Sequence, residues 1–219
     1  DALTAVRRIA LDKTGTLTSG QFGVRGWHPA AGVTYDELAT WTAHAERSSH
    51  HPVAQAIAAA VPVTGPVVGE DYCETPGQGV AAVVDGQRVA AGSARFLATW
   101  KVECLPTPVD AVAVHCLCAG RYLGWCEVAD TIKPHAARAM ADLRQFGVRD
   151  IRMLTGDRAP AAQRIADAVG IDRVHAELLP EEKLAVVEEM LAAASAGEKV
   201  AFVGDGLNDA PVLARADVG

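Results

Sequence analysis

The sequence predicts an α/β protein: an open, mostly parallel sheet flanked by helices, with an inserted α+β domain made of an antiparallel sheet and a helix pair. Three observations lead there. Three short apolar runs each close on a polar turn containing Asp or Gly, as buried parallel strands do. Helical segments bounded by Pro and Gly lie between and after the later runs. A long middle stretch separates the first run from the other two and changes to short strand-like segments joined by tight turns.

The elements follow in order. Val6–Leu11 is the first apolar run and leads into Asp12. Thr34–Arg47 opens with Thr34-x-x-Glu37, a capping-box pattern, and reads as a helix. Pro52–Ala60 reads as a second, with proline at its first position. From Val67 to Val128 the pattern is strand-like: Val80–Val84, an Asp85-Gly86 hairpin turn, Arg88–Ala91, Val109–Cys118, an Ala119-Gly120 turn, then Tyr122–Val128. His135–Phe146 is a helix behind Pro134 that stops at Gly147. Ile151–Leu154 runs into Thr155-Gly156-Asp157, and Ala161–Val169 is a helix stopping at Gly170. Glu181–Ala194 starts behind Pro180 and carries Leu184, Val187 and Leu191 on one face. Val200–Val203 ends at Gly204-Asp205-Gly206. Ligands of open parallel sheets sit outside the carboxyl ends of the strands, so Asp12, Thr155, Asp157 and Asp205 are expected around one crevice. Residues 1–22 and 130–219 are expected to form the α/β domain and 23–129 the insertion, with boundaries near Gly20–Gly26 and Ala129–Thr131.

Composition sets limits on function. Of 219 residues, 50% are hydrophobic and 21% charged, enough for a packed core and against wholesale disorder. The net charge of −7 argues against a nucleic-acid binder, whose footprint is basic, and suits a partner neutralised by a cation, such as a magnesium nucleotide. No window reaches the ~18 apolar residues of a membrane span, and Arg7-Arg8 before a brief apolar run is not expected to be a leader. Five cysteines, an odd number, suit reduced thiols better than a disulfide framework. A soluble protein at the cytoplasmic side is expected.

The chemistry concentrates in three turns. Asp12-Lys13-Thr14-Gly15-Thr16-Leu17-Thr18 puts a carboxylate at a strand end before a glycine turn. Such a carboxylate can attack a phosphoryl group, with the turn's N–H groups and hydroxyls holding the equatorial oxygens. A lone Asp-x-Thr is usually just a turn. Gly204-Asp205-Gly206-Leu207-Asn208-Asp209 can offer carboxylate oxygens to Mg²⁺, and by itself also reads as a calcium-like or plain turn. Thr155-Gly156-Asp157 can hold a phosphate oxygen, although a helix N-cap explains such a sequence more often. Lys183 lies on an amphipathic helix, where a lysine is usually a solvated charge; it can also neutralise a phosphorylated Asp12. His115-Cys116-x-Cys118 and Cys126 lie on two strands of one hairpin, either as a soft-metal site or, the better account, as small buried thiols.

Taken together, Asp12–Thr18, Thr155–Asp157 and Gly204–Asp209 with Ala210-Pro211 resemble the signature motifs of P-type ATPases, members of the haloacid-dehalogenase-like superfamily with its Rossmann-like sheet. Asp130-x-x-Lys133-Pro134 resembles the motif at which that family's phosphorylation domain is re-entered. The resemblance implies that Asp12 is the phosphorylated nucleophile, with Lys13, Thr14, Thr155, Gly156 and Lys183 stabilising the phosphate. It implies a Mg²⁺ site of Asp12, the Thr14 main chain and Asp205, supported by Asn208 and Asp209, and it makes Asp157 the link to closure of the nucleotide domain. Ser49-His50-His51-Pro52, with Glu46 ahead of it, resembles the His-Pro signature of the heavy-metal-transporting branch. That implies ATP binding in the insertion, with His51 against the adenine, Glu46 on its exocyclic amine, Gly77 and Gly79 making close approach possible, and Gly92 beside Ser93 at the nucleotide. Ser93 stands where the branch usually has Asn. His50 reads as an exposed loop residue. The resemblance further implies hinges at the two inter-domain connections, an actuator domain and metal-conducting membrane helices elsewhere in a longer protein, and that this chain is a fragment. A capped soluble phosphatase would carry a second Asp where Thr14 stands, and a nucleotide or metal sensor would have no need of Asp12, Asp205 and Lys183 together.

Overall fold

The computed structural model describes residues 2–63, 70–108, 112–206 and 209–219. In chain order the elements are β1 (Val6–Asp12), β2 (Thr18–Pro29), α1 (Tyr35–Glu46), α2 (Pro52–Ala60), β3 (Glu70–Thr75), β4 (Gly79–Val84), β5 (Gln87–Gly92), α3 (Ala94–Ala98), β6 (Val112–Cys118), β7 (Arg121–Ile132), α4 (Ala136–Gln145), β8 (Asp150–Leu154), α5 (Ala159–Val169), β9 (Arg173–His175), α6 (Pro180–Ala192), β10 (Lys199–Val203) and α7 (Ala210–Arg215). They fall into two compact units, Asp1–Gly20 with Thr131–Gly219, and Gln21–Asp130. No helix among the described residues is long and apolar enough to cross a membrane.

The first unit holds a parallel sheet in the order β10-β1-β8-β9. Alternation along β1 sends Ile9 and Leu11 to one face, against Ala136 and Met140 of α4 and Ala162, Ile165 and Ala166 of α5. Ala10 faces the other way, with Leu154 and Phe202, against Val187 and Met190 of α6 and Val212 of α7. Both faces are therefore covered, which is why these strands read as continuous apolar runs. β1 lies between β8 and β10, with Asp12 in register with Leu154 and Leu11 with Val203. The three polar turns thus leave the sheet side by side.

The second unit holds a six-stranded sheet in the order β2-β7-β6-β5-β4-β3. α1 and α2 cover one face through Leu38, Ala43, Val53 and Ile57. The five-residue α3 covers part of the other, with Phe96 and Leu97 against Ala90 and Leu117. Asp85-Gly86 and Ala119-Gly120 each take two successive positive φ values, +49° and +72°, then +50° and +79°, as a two-residue hairpin turn of the twisted-strand type requires. Thr34 caps α1 by accepting from the Glu37 N–H at 3.1 Å, while the Glu37 carboxylate is engaged by Arg121 across the unit.

Gly20–Gly26, where one boundary is expected, lies in β2, and Ala129–Thr131, where the other is expected, lies in β7. Glycine-rich polar sequence does not announce a strand, yet an outer strand beside a single partner tolerates it. Of the strand expected over Val109–Cys118, Val112–Cys118 forms β6, and residues 109–111 lie outside the described residues.

Candidate functional site

Asp12 closes β1 and is 7% exposed. Lys183, on the first turn of α6, reaches it across 171 residues of sequence: Nζ stands 2.5 Å from Asp12 Oδ1 and 2.9 Å from Asp209 Oδ1. Burial pushes the Asp12 carboxyl above its usual range; Lys183 opposes this and the Asp209 charge adds to it. Burial would lower the Lys183 ammonium, but the hydrogen bonds to Asp12 and Asp209 outweigh it and hold it above its usual value. One cation therefore serves two buried carboxylates. The lysine that the helix pattern leaves as a solvated charge is a member of the site.

The turn after Asp12 is shaped by Gly15, at φ +74°. A side chain there would also crowd the Asp205 loop: a Cβ would stand 3.3 Å from both Cβ and Oδ2 of Asp205. This brings the Asp205 loop against the Asp12–Thr14 turn. Thr18 Oγ1 donates to the Lys13 carbonyl at 3.2 Å and stiffens the turn from behind. Lys13 is buried and pairs with Asp157, Nζ to Oδ2 at 2.6 Å. Thr155 is buried; its Oγ1 accepts from the Asp157 N–H at 3.1 Å, and its N–H donates to the His175 carbonyl. Gly156 is exposed beside it, and a Cβ there would stand 3.3 Å from the Leu178 carbonyl oxygen. Gly204 is more tightly constrained, since a Cβ would meet Asp209 Oδ2 at 2.7 Å. The first unit thus gathers Asp12, Lys13, Thr14, Thr155, Gly156, Asp157, Lys183, Asp205 and Asp209 at the carboxyl end of its sheet. Asn208 lies outside the described residues. Lys133, absent from the sequence-predicted set, also belongs here: Nζ donates to the Gly15 carbonyl and its N–H to the Leu17 carbonyl. Its position in the Asp130-x-x-Lys133-Pro134 motif was the available signal.

The donor set fits a small hard cation. Asp12, Asp205 and main-chain carbonyls are oxygen ligands, and Mg²⁺ takes one or two carboxylates and leaves its remaining positions to phosphate and water. No group of three or more His, Cys, Asp or Glu suited to a metal occurs among the described residues. Cys116, Cys118 and Cys126 all face the second unit's core. Burial pushes the Cys116 thiol up to about 12 and the other two upward as well.

A separate pocket of about 160 Å³ opens in the second unit. Glu46, His51, Gly77, Gly79, Gly92 and Ser93, all six expected there, line it together with Ser49, Glu74, Gln78 and Val112–Val114. His51 is the N-cap of α2: Nδ1 accepts from the Val53 N–H at 3.3 Å, so the ring proton sits on Nε2. Ser93 is the N-cap of α3, its Oγ accepting from the Phe96 N–H at 3.2 Å, which leaves the hydroxyl proton to donate elsewhere. The glycines act differently from one another. Gly77, at φ +69° in open space, makes the turn between β3 and β4. Gly79 and Gly92 face each other across β4 and β5. A Cβ on Gly92 would stand 2.4 Å from the Gln78 carbonyl oxygen, and one on Gly79 2.6 Å from Phe96. Their missing side chains first permit the strands and Phe96 to close under the pocket. Gly92→Ala is therefore expected to destabilise the protein by about 1–3 kcal/mol, read as a lower melting temperature; an unchanged one refutes this packing.

Glu74 is the residue that spacing did not reveal. Ser49 Oγ and Tyr72 OH donate to its two oxygens at 3.1 and 3.0 Å, and Ser49 Oγ accepts from the His51 N–H. Burial pushes the Glu46 carboxyl up from 4.5 to about 7, with the Glu74 charge adding. The folded protein then keeps a proton that the unfolded chain releases, so stability falls as pH rises from 4.5 through about 7. A shift of this size corresponds to about 3 kcal/mol. The melting temperature of the unmutated protein is expected to drop over that interval more steeply than that of Glu46→Gln. Parallel curves would refute the assignment.

Asp12 at a strand end, a lysine bridging two carboxylates, and a Gly-Asp-Gly turn on the adjacent strand stand together at the carboxyl end of the parallel sheet. The chain belongs to the haloacid dehalogenase-like hydrolase family, whose model matches residues 6–217. Within that family it is similar to heavy-metal-transporting ATPases of the P-type. It is 46% identical over 221 residues to the zinc-transporting ATPase of Synechocystis sp., covering 100% of this chain and 30% of that protein. It is 41% identical over 223 residues to the cadmium, zinc and cobalt-transporting ATPase of Bacillus subtilis, covering 100% of this chain and 31% of that one. Among solved structures, a zinc-transporting PIB-type ATPase superposes with TM-score 0.81 at 35% identity, over 98% of this chain and 35% of that one. The chain thus spans about a third of the length of these three proteins.

Proposed function

We propose that this chain is the ATP-binding and phosphorylation portion of a heavy-metal cation-transporting P-type ATPase. The observation that carries the reading is the Lys183 ammonium seated between Asp12 and Asp209 at the carboxyl end of the central strand. The first unit is the phosphorylation domain, and the second, with its Glu46–His51 pocket, the nucleotide-binding domain. ATP is the substrate. A carboxylate oxygen of Asp12 attacks the γ-phosphorus in line, and the bond to the β-phosphate oxygen breaks with its electron pair leaving on ADP. Lys183 holds the Asp12 carboxylate in orientation and balances the charge gathered around it. Thr155, Gly156 and the Thr14–Gly15 turn supply hydroxyl and N–H donors for the transferred oxygens. Lys13 ties the nucleophile turn to Asp157. Asp12, the Thr14 main chain and Asp205 would hold Mg²⁺, which would supply neutralisation of phosphate charge there. Hydrolysis of the aspartyl phosphate, an actuator domain and conduction of the metal cation through membrane helices belong to the longer protein, whose catalytic portion lies on the cytoplasmic face.

The test is acid-quench labelling with γ-labelled ATP and Mg²⁺, followed by hydroxylamine. Acid-stable, hydroxylamine-labile label on this chain or on the longer protein supports the reading. Bound ATP with no label on either would make it a nucleotide sensor.

A further inference from the structure

We propose that the opposite, amino-terminal edge of the parallel sheet carries a second site, for a phosphate group, built from Arg7, Arg8, Arg149 and Arg173. In a parallel sheet the strand starts share one edge. β1 enters with Arg7-Arg8, β8 with Arg149-Asp150 just before and at its start, and β9 with Arg173. The register sets Arg8 beside Asp150 and Arg152 beside Arg173. Arg8 and Asp12 are separated by four strand steps, about 13 Å, so this is a site distinct from the nucleophile's.

The cavity there measures about 250 Å³ and is lined by Arg7, Arg8, Arg149, Asp150 and Arg173, charged residues throughout. A water takes about 30 Å³, so there is room for a phosphate group with part of its ester. The wall contains a single carboxylate. Asp150 is buried and already shared: Arg8 Nη1 lies 3.3 Å from Oδ2, Arg152 Nη2 3.1 Å from Oδ2, and Arg173 Nη1 3.4 Å from Oδ1. Glu189 is held by Arg152 and Glu198 by Arg149. Five guanidiniums therefore face three carboxylates, in a chain whose net charge is −7.

Acceptors are in short supply. A carboxylate offers about four lone-pair sites and a guanidinium five N–H donors. Arg7 turns one donor back to the Thr4 and Val6 carbonyls, and Arg8 spends Nη2 on the Ala193 carbonyl at 2.8 Å. Arg8 Nε is buried and has no hydrogen-bond partner among the described residues. Crowded guanidiniums repel one another, and a multiply charged oxyanion relieves both the charge and the acceptor deficit. The cations are arginine throughout, whose planar fork matches phosphate geometry in a way a lysine ammonium does not.

The phosphate has two sources, free inorganic phosphate or the headgroup of an anionic lipid, and two arms separate them. In one, protein labelled with ¹⁵N at arginine Nε is titrated with inorganic phosphate, without Mg²⁺ or nucleotide, at about 0.15 M salt to screen diffuse attraction. The readout is the Nε–H resonances of Arg7, Arg8, Arg149 and Arg173. In the other, the protein is sedimented with phosphatidylcholine vesicles with and without phosphatidic acid. The expected result is a saturable shift in the first arm or acid-lipid-dependent sedimentation in the second. Either should weaken about tenfold in Arg149→Gln/Arg173→Gln, recover in part in Arg149→Lys/Arg173→Lys, and persist in Asp12→Asn. Arg149 and Arg173 have side chains 66% and 61% exposed, so the double variant is expected to fold. No saturable response in either arm, or one undiminished in the glutamine double variant, overturns the proposal.

Discussion

Asp12→Asn is expected to abolish the hydroxylamine-labile phosphoenzyme while leaving ATP binding intact. An amide oxygen carries no charge to direct at phosphorus, so incorporation should fall by at least about a thousandfold. The pocket that contains Glu46 and His51 lies in the other unit and contains no residue of the Asp12 turn. Binding of a fluorescent nucleotide should therefore be unchanged. The variant should also melt at or above the temperature of the unmutated protein. Burial holds the Asp12 carboxyl above its usual range, so its ionised form is a charge the fold disfavours. Asp209 remains as partner for Lys183. In the unmutated protein, phosphorylation should fail as pH drops through this elevated pKa, because the nucleophile is then protonated. Label surviving in Asp12→Asn would place the phosphoryl group elsewhere and end the proposed mechanism.

Lys183→Met is expected to have the largest effect on stability. It leaves Asp12 and Asp209, both largely shielded from solvent, without the cation between them. Removing one partner from a buried ionic cluster lowers stability by about 3–5 kcal/mol. The deficit should shrink as pH falls, since the stranded carboxylates take up protons that the unfolded chain would release. Adding Asp12→Asn should restore part of the loss by removing the like-charge repulsion. Thermal unfolding from pH 5 to 8 across the single and double variants checks this. A Lys183→Met protein that melts with the unmutated one at neutral pH would mean that the bridge contributes nothing.

How far the sequence carries depends on the interaction range involved. The Asp12–Thr18 turn, the Gly-Asp-Gly turn and the hairpin turns at Asp85-Gly86 and Ala119-Gly120 are set by neighbours a few residues apart, and their expected places hold. Helices announced by Pro134, Pro180 and Gly170 begin and end within a few residues of expectation. β2 escaped notice because Gly20, Gly23 and Gly26 interrupt its alternation; pairing with β7 makes it a strand.

The candidate sites divide the same way. Asp12, Asp205, Glu46 and His51 are legible as motif members. Glu74 is not, since it reaches the pocket by cross-strand placement and is recognised only through Ser49 and Tyr72. Gly79 reads as room for a ligand, and the structure gives it, together with Gly92, a prior task in letting two strands and Phe96 meet.

The sequence by itself determined the alternation of strand and helix, the place of the Asp12 turn at a strand end and the family, because each rests on local spacing and on residue types that chemistry constrains. Only the tertiary structure decided that Lys183 bridges Asp12 and Asp209, and that four arginines from three strand starts share one cavity. Both depend on strand order. With β1 between β10 and β8, residues more than a hundred positions apart become neighbours at each end of the sheet, and no local pattern encodes that order.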